Sequence, residues 1–122
     1  MKKTKQSFFT ALYNAFNGLF DFFSNERNGK IQLAVALATI ATAAFLKISL
    51  NEWVAVLLCI GMVIGLEMLN SALEKLCDLV EPGYHPSIRV IKDISAGAVL
   101  WASIISTVAG TIIFLPKIIS LL

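Results

Sequence analysis

Four polar residues stand at helical spacing in an otherwise apolar run: Glu67, Asn70, Glu74 and Asp78, separated by 3, 4 and 4 positions. At about 100° per residue they fall within an arc of about 80°, with Ser71 beside them. Three ionised carboxylates on one face repel one another, and a bound cation is the simplest relief. Glu67 is the deepest, about 21 Å along a helix from Trp53, which sets it near the inner headgroup boundary of a bilayer. There it is placed to act as a general base on the hydroxyl of a lipid. Glu74 lies nearer the water and suits a divalent ion. Glu26 sits in Asn25-Glu26-Arg27-Asn28-Gly29 at the same boundary. With Glu74 it completes a pair of carboxylates of the kind that holds magnesium together with substrate phosphates. The competing reading makes the stripe an interhelical hydrogen-bond network that holds an oligomer together.

Further along, Lys92 can lean on phosphate oxygens, and Tyr84 and His85 offer ring faces and donors to a nucleotide. No Gly-x-x-x-x-Gly-Lys-Ser/Thr run occurs, which excludes a P-loop. A nucleotide site must therefore be assembled from helix faces and the loop around Tyr84.

The elements that position these residues follow from composition. The chain has 122 residues, 57% of them hydrophobic and only 15% charged. Soluble domains carry about 25% charge, so this chain is one domain built for lipid. A net charge of +2 without a basic patch argues against a nucleic-acid partner. Cys59 and Cys77 have no histidine cluster near them and read as small buried hydrophobes. Backbone polar groups have no water partner in hydrocarbon, so the long apolar runs must be helices. Three spans are expected, at about 31–50, 53–80 and 96–115. Ser49-Leu50-Asn51-Glu52 reads as a capping box before the second. The loop Glu81-Pro82-Gly83-Tyr84-His85-Pro86 ends it, since proline cannot continue a helix and Gly83 permits a turn.

Before the first span, Phe8, Leu12, Phe16, Leu19, Phe20 and Phe23 share one helical side, and Thr10, Asn14, Asn17, Asp21 and Ser24 share another. This pattern predicts an amphipathic helix over about 6–24, lying in the membrane interface. Asn28-Gly29 reads as the turn by which it bends into the first span. Ala98, Ala102, Ser106 and Ala109-Gly110 give the third span a small-residue face suited to close helix contact. Basic residues sort to one side: Lys2, Lys3, Lys5, Arg27, Lys30, Lys75, Arg89 and Lys92, against Lys47 and Lys117 on the other. By the positive-inside rule the amino terminus and the second loop are cytoplasmic.

The run Glu67-Met-Leu-Asn70-Ser71-Ala-Leu-Glu74, with Asp78, Tyr84-His85 and Lys92-Asp93, closely resembles the small prokaryotic diacylglycerol kinase and undecaprenol kinase family. The likeness extends over nearly the whole chain, through Gly18-Leu19, Asn25-Glu26-Arg27-Asn28 and Ala96-Gly97-Ala98-Val99. It implies an all-α, multi-pass protein of the bacterial inner membrane, assembled as a homotrimer whose cytoplasmic-side active sites are shared between neighbours. It further implies ATP- and Mg²⁺-dependent phosphorylation of a membrane lipid alcohol. On that resemblance Glu67 is the catalytic base, and Glu26 and Glu74 hold magnesium on the ATP phosphates. Asn70 and Asp78 are active-site polar groups, and Asn14, Gly83, Tyr84, His85, Lys92 and Asp93 match positions about the nucleotide. Ser7 and Asn14 replace an arginine and a tyrosine of the diacylglycerol-specific branch, so the identity of the lipid stays open. Two other functions compete with the kinase: a small oligomeric proton or cation channel that uses the stripe as a relay, and a non-enzymatic membrane scaffold.

Overall fold

The structure, a computed structural model, describes residues 7–122. Lys2, Lys3 and Lys5, and the expected helix start at residue 6, lie outside the described residues. Four helices follow in order: α1 (Phe8–Asn25), α2 (Arg27–Leu46), α3 (Leu50–Val80) and α4 (Pro86–Leu121). The last three are each long and apolar enough to cross a membrane. Their apolar side chains are largely exposed in the single chain, Leu58, Leu69, Leu100 and Ile112 among them, as a surface that meets lipid or other helices requires.

α1, α3 and α4 each begin where a side chain supplies a cap. Ser7 Oγ accepts the amide of Thr10 at 3.1 Å and starts α1. The capping box at Ser49 forms as expected: Glu52 N donates to Ser49 Oγ at 3.2 Å, and Ser49 N donates to Glu52 Oε1 at 2.9 Å. Pro86 takes the first position of α4, where its missing N–H is no loss. The helix then runs well beyond the apolar stretch expected to span, carrying Arg89, Lys92 and Asp93 on its first turns and continuing through Pro116.

One turn differs from expectation. The bend between α1 and α2 falls on Glu26 alone, an extended residue at φ −88° and ψ 132° that caps both helices. Asn28 and Gly29 lie inside α2. Gly29 is needed for a close approach instead: a Cβ there would lie 2.0 Å from the carbonyl oxygen of Phe22. The bend after α3 falls at Pro82 and Gly83 as expected, while the α2–α3 turn is closed by Lys47, the one described residue with a positive φ, 54°. Lys47 N donates to Ala44 O and Ile48 N to Ala43 O, each at 3.3 Å. This is the paired closure of a Schellman motif, with Ile48 tucked inward.

The buried cluster of Ala43, Ile48, Val56 and Ile113 sits beside that turn, with Trp53, Ile60 and Phe114 packed around it. Lys117 and Glu52 pair at the same end, at 3.2 Å. The apolar core thus occupies one end of the bundle. The polar stripe of α3 lies toward the other.

Candidate active site

α3 places Glu67, Asn70, Glu74 and Asp78 on successive turns, and the first two are buried although both are polar, at 5% and 6% exposure. A charged group in such a place persists only with a partner. Asn28 provides it, donating from Nδ2 to Glu67 Oε1 at 2.8 Å across from the first turn of α2. One turn along α3, Asn70 Nδ2 donates to Glu74 Oε1 at 3.3 Å. Asn70 Oδ1 is buried and accepts no hydrogen bond. An orphaned amide oxygen between two carboxylates is an acceptor-rich spot, open to a donor or a cation.

The remaining acids are matched to cations on other elements. Glu26, at the α1–α2 bend, pairs with Lys75 of α3. Asp78 accepts from Lys92 Nζ at 2.6 Å, joining α3 to the start of α4. Arg89 and Asp93 form a pair within α4 at 3.3 Å. His85 caps that helix, its Nδ1 accepting the amide of Ser87 at 3.1 Å. α1, α2, α3 and α4 all contribute to this one end of the molecule.

Glu67, Asn70 and Glu74 therefore come together with Asn28, and Glu26 and Asp78 are each tied to α3 or α4 by an ion pair. Tyr84, Gly83 and Asn14 stand exposed and are not drawn into this network. Sequence reasoning missed Asn28 and Lys75 as partners. Lys75 was legible as a cation adjoining Glu74, while the pairing of Asn28 with Glu67 spans 39 positions and needs the docking of two helices.

The donor set is carboxylate and amide oxygen, the hard ligands that magnesium and calcium prefer. Among the described residues no cluster of three or more His, Cys, Asp or Glu could hold a metal ion by itself. A magnesium ion that shares its sphere with phosphates needs only one or two carboxylates; Glu74 with the unpartnered oxygen of Asn70 beside it fits that smaller demand, while Glu26 is held by Lys75.

Residues 13–114 match the prokaryotic diacylglycerol kinase family. The undecaprenol kinase of Bacillus subtilis (strain 168) is 36% identical over 111 residues, covering 91% of this chain and 90% of that protein. The diacylglycerol kinase of Synechocystis sp. is 35% identical over 109 residues, which is 88% of this chain and 62% of the longer relative. A diacylglycerol kinase of Helicobacter pylori is 28% identical over 101 residues, 79% of each chain. The buried acid–amide network lies within the matched segment, at the polar end of a three-span helical membrane protein. The chain belongs to the prokaryotic diacylglycerol kinase family and is a lipid kinase.

Proposed function

We propose that the chain transfers the γ-phosphoryl group of ATP to the hydroxyl of a membrane lipid alcohol, either diacylglycerol or undecaprenol, at the cytoplasmic face of a bacterial inner membrane. The observation that carries this reading is the buried Glu67 carboxylate, held by a neutral amide. Glu67 removes the hydroxyl proton as the lipid oxygen attacks the γ-phosphorus. The bond from that phosphorus to the β,γ-bridging oxygen breaks, and ADP leaves. Lys92 turns from Asp78 to the phosphate oxygens and offsets the charge that spreads over them. Glu26 and Glu74 are the residues that would hold Mg²⁺, which when bound neutralises phosphate charge. Tyr84, His85, Gly83, Asp93 and Asn14 border the nucleotide, and Asn70 fixes Glu74.

The described basic residues support the orientation. Arg27, Lys30, Lys75, Arg89 and Lys92 belong to the site end, and Lys47 and Lys117 to the other. The unpartnered apolar faces of α1 to α4 are compatible with a homotrimer.

The test is a labelled-ATP assay on purified protein in mixed micelles, run against diacylglycerol, undecaprenol and related lipid alcohols. Label should enter one of these lipids only with ATP and magnesium present. Glu67→Gln should abolish transfer, by a factor on the order of 10² or more, with assembly unchanged. Normal turnover by that variant would remove Glu67 from the chemistry. ATP-independent conductance in liposomes would favour the channel instead.

A further inference from the structure

We propose that Asn28 is a positioning residue for Glu67, holding one carboxylate oxygen so that the other faces the lipid hydroxyl. The proposal rests on the reading of Glu67 as the base. Among the described residues Glu67 receives one hydrogen bond, from Asn28 Nδ2 to Oε1 at 2.8 Å. Its second oxygen, Oε2, accepts no hydrogen bond among the described residues. One oxygen is tethered and the other is available. That is the arrangement a proton acceptor needs.

The choice of partner matters as much as its position. Among the described residues none of the cations at this end pairs with Glu67: Lys75 is with Glu26, Lys92 with Asp78 and Arg89 with Asp93, and Arg27 and Lys30 form no ion pair with it. A lysine or arginine on Glu67 would form an ion pair and make the carboxylate a weaker base. A side-chain amide solvates the buried acid and orients it without supplying a full charge. Asn28 is in turn fixed by its neighbours. It is the second residue of α2, directly after the Glu26 bend, and Gly29 beside it is pressed against the Phe22 carbonyl. Phe22 is itself buried. The amide therefore cannot slide along or away from α3 without moving the α1–α2 junction.

The test measures kcat and KM separately for Asn28→Ala, Asn28→Gln and Asn28→Asp, alone and with Glu67→Gln. In Asn28→Ala the loss should fall on kcat, on the order of 10²-fold as for a misplaced reacting group, with KM for ATP and lipid changed by less than about twofold. Asn28→Gln, which keeps the amide on a longer arm, should recover part of the rate. Asn28→Asp, which sets a carboxylate against Glu67, should fall at least as low as alanine. Added to Glu67→Gln, Asn28→Ala should cost nothing more, since its target is already gone. An unchanged kcat in Asn28→Ala, a loss confined to KM, or a full penalty persisting beside Glu67→Gln would each overturn the assignment. Wild-type turnover by Glu67→Gln alone overturns it as well, by removing the base, and that failure is recognisable because Asn28 is intact.

Discussion

Glu26, Glu67, Glu74 and Asp78 each have their charge answered by a different group, and Glu67 is the one that is buried. Glu67 and Glu74 are answered by neutral amides, Glu26 and Asp78 by lysines. The difference bears on exchange during turnover. An amide can stay in place when substrate arrives, whereas a lysine must release a carboxylate before a metal takes it. On the proposed magnesium site, Lys75 would compete with the metal for Glu26. Its side chain is 62% exposed and that of Glu26 is 26% exposed, a setting in which an ion pair is worth at most about 1 kcal/mol. Lys75→Ala should therefore lower the magnesium concentration for half-maximal rate by up to about fivefold, with kcat retained, as a titration of rate against Mg²⁺ would read. On the proposed nucleotide site, Lys92→Ala would remove a charge-assisted contact to phosphate, worth about 1.5–3 kcal/mol. It should raise KM for ATP by about tenfold or more, with the rise measured at saturating lipid. The four-residue stripe was legible because helical phase alone relates residues on one helix. Asn28 was not, because its contact with Glu67 depends on where a second helix docks.

At the scale of the elements, the sequence signals were real but some named the wrong device. The capping box at Ser49 and the prolines about the second loop placed the ends of α3, since their chemistry is local, whereas α4 begins at Pro86, ahead of the apolar span expected from about 96. Asn28-Gly29 carries the composition of a turn, yet the bend is made by Glu26 and the glycine serves helix contact. A missing side chain is equally useful for a positive φ and for close packing, and sequence cannot tell which is being used. The difference is measurable. Gly29→Ala forces its Cβ onto the Phe22 carbonyl oxygen, a backbone atom that cannot rotate away. Overpacking of this sort costs about 1–3 kcal/mol, so the variant should melt at lower temperature in detergent. Lys47 presents the opposite case, a side chain where glycine would be at ease, at φ 54° and ψ 53°. Lys47→Gly should stabilise the α2–α3 turn by about 1 kcal/mol. The same melting measurement should show an upward shift, with lipid phosphorylation unaltered because the turn lies at the far end from Glu67.

Across the described residues, the apolar core and the polar network are separated along the helix bundle. Apolar burial gathers around Ala43, Ile48, Val56 and Ile113 at the α2–α3 turn, while the acids and their partners gather where α1 meets α2 and α3 meets α4. One chain already joins Asn28 to Glu67 and Glu26 to Lys75, so on the proposed reading the base and the metal-holding acids belong to the same copy. Asn14 and Tyr84 stand clear of that network and are exposed. If sites are shared in a trimer, these outlying positions are what a neighbour contributes. Mixing of inactive chains separates the two cases. Glu67→Gln and Glu26→Gln chains, dissociated together in detergent and reassembled, should stay inactive, because no copy in the mixture carries both acids. Recovery of lipid phosphorylation in that mixture would place Glu26 and Glu67 of one site on different chains, and the pairing seen here within one copy would then have to exchange on assembly.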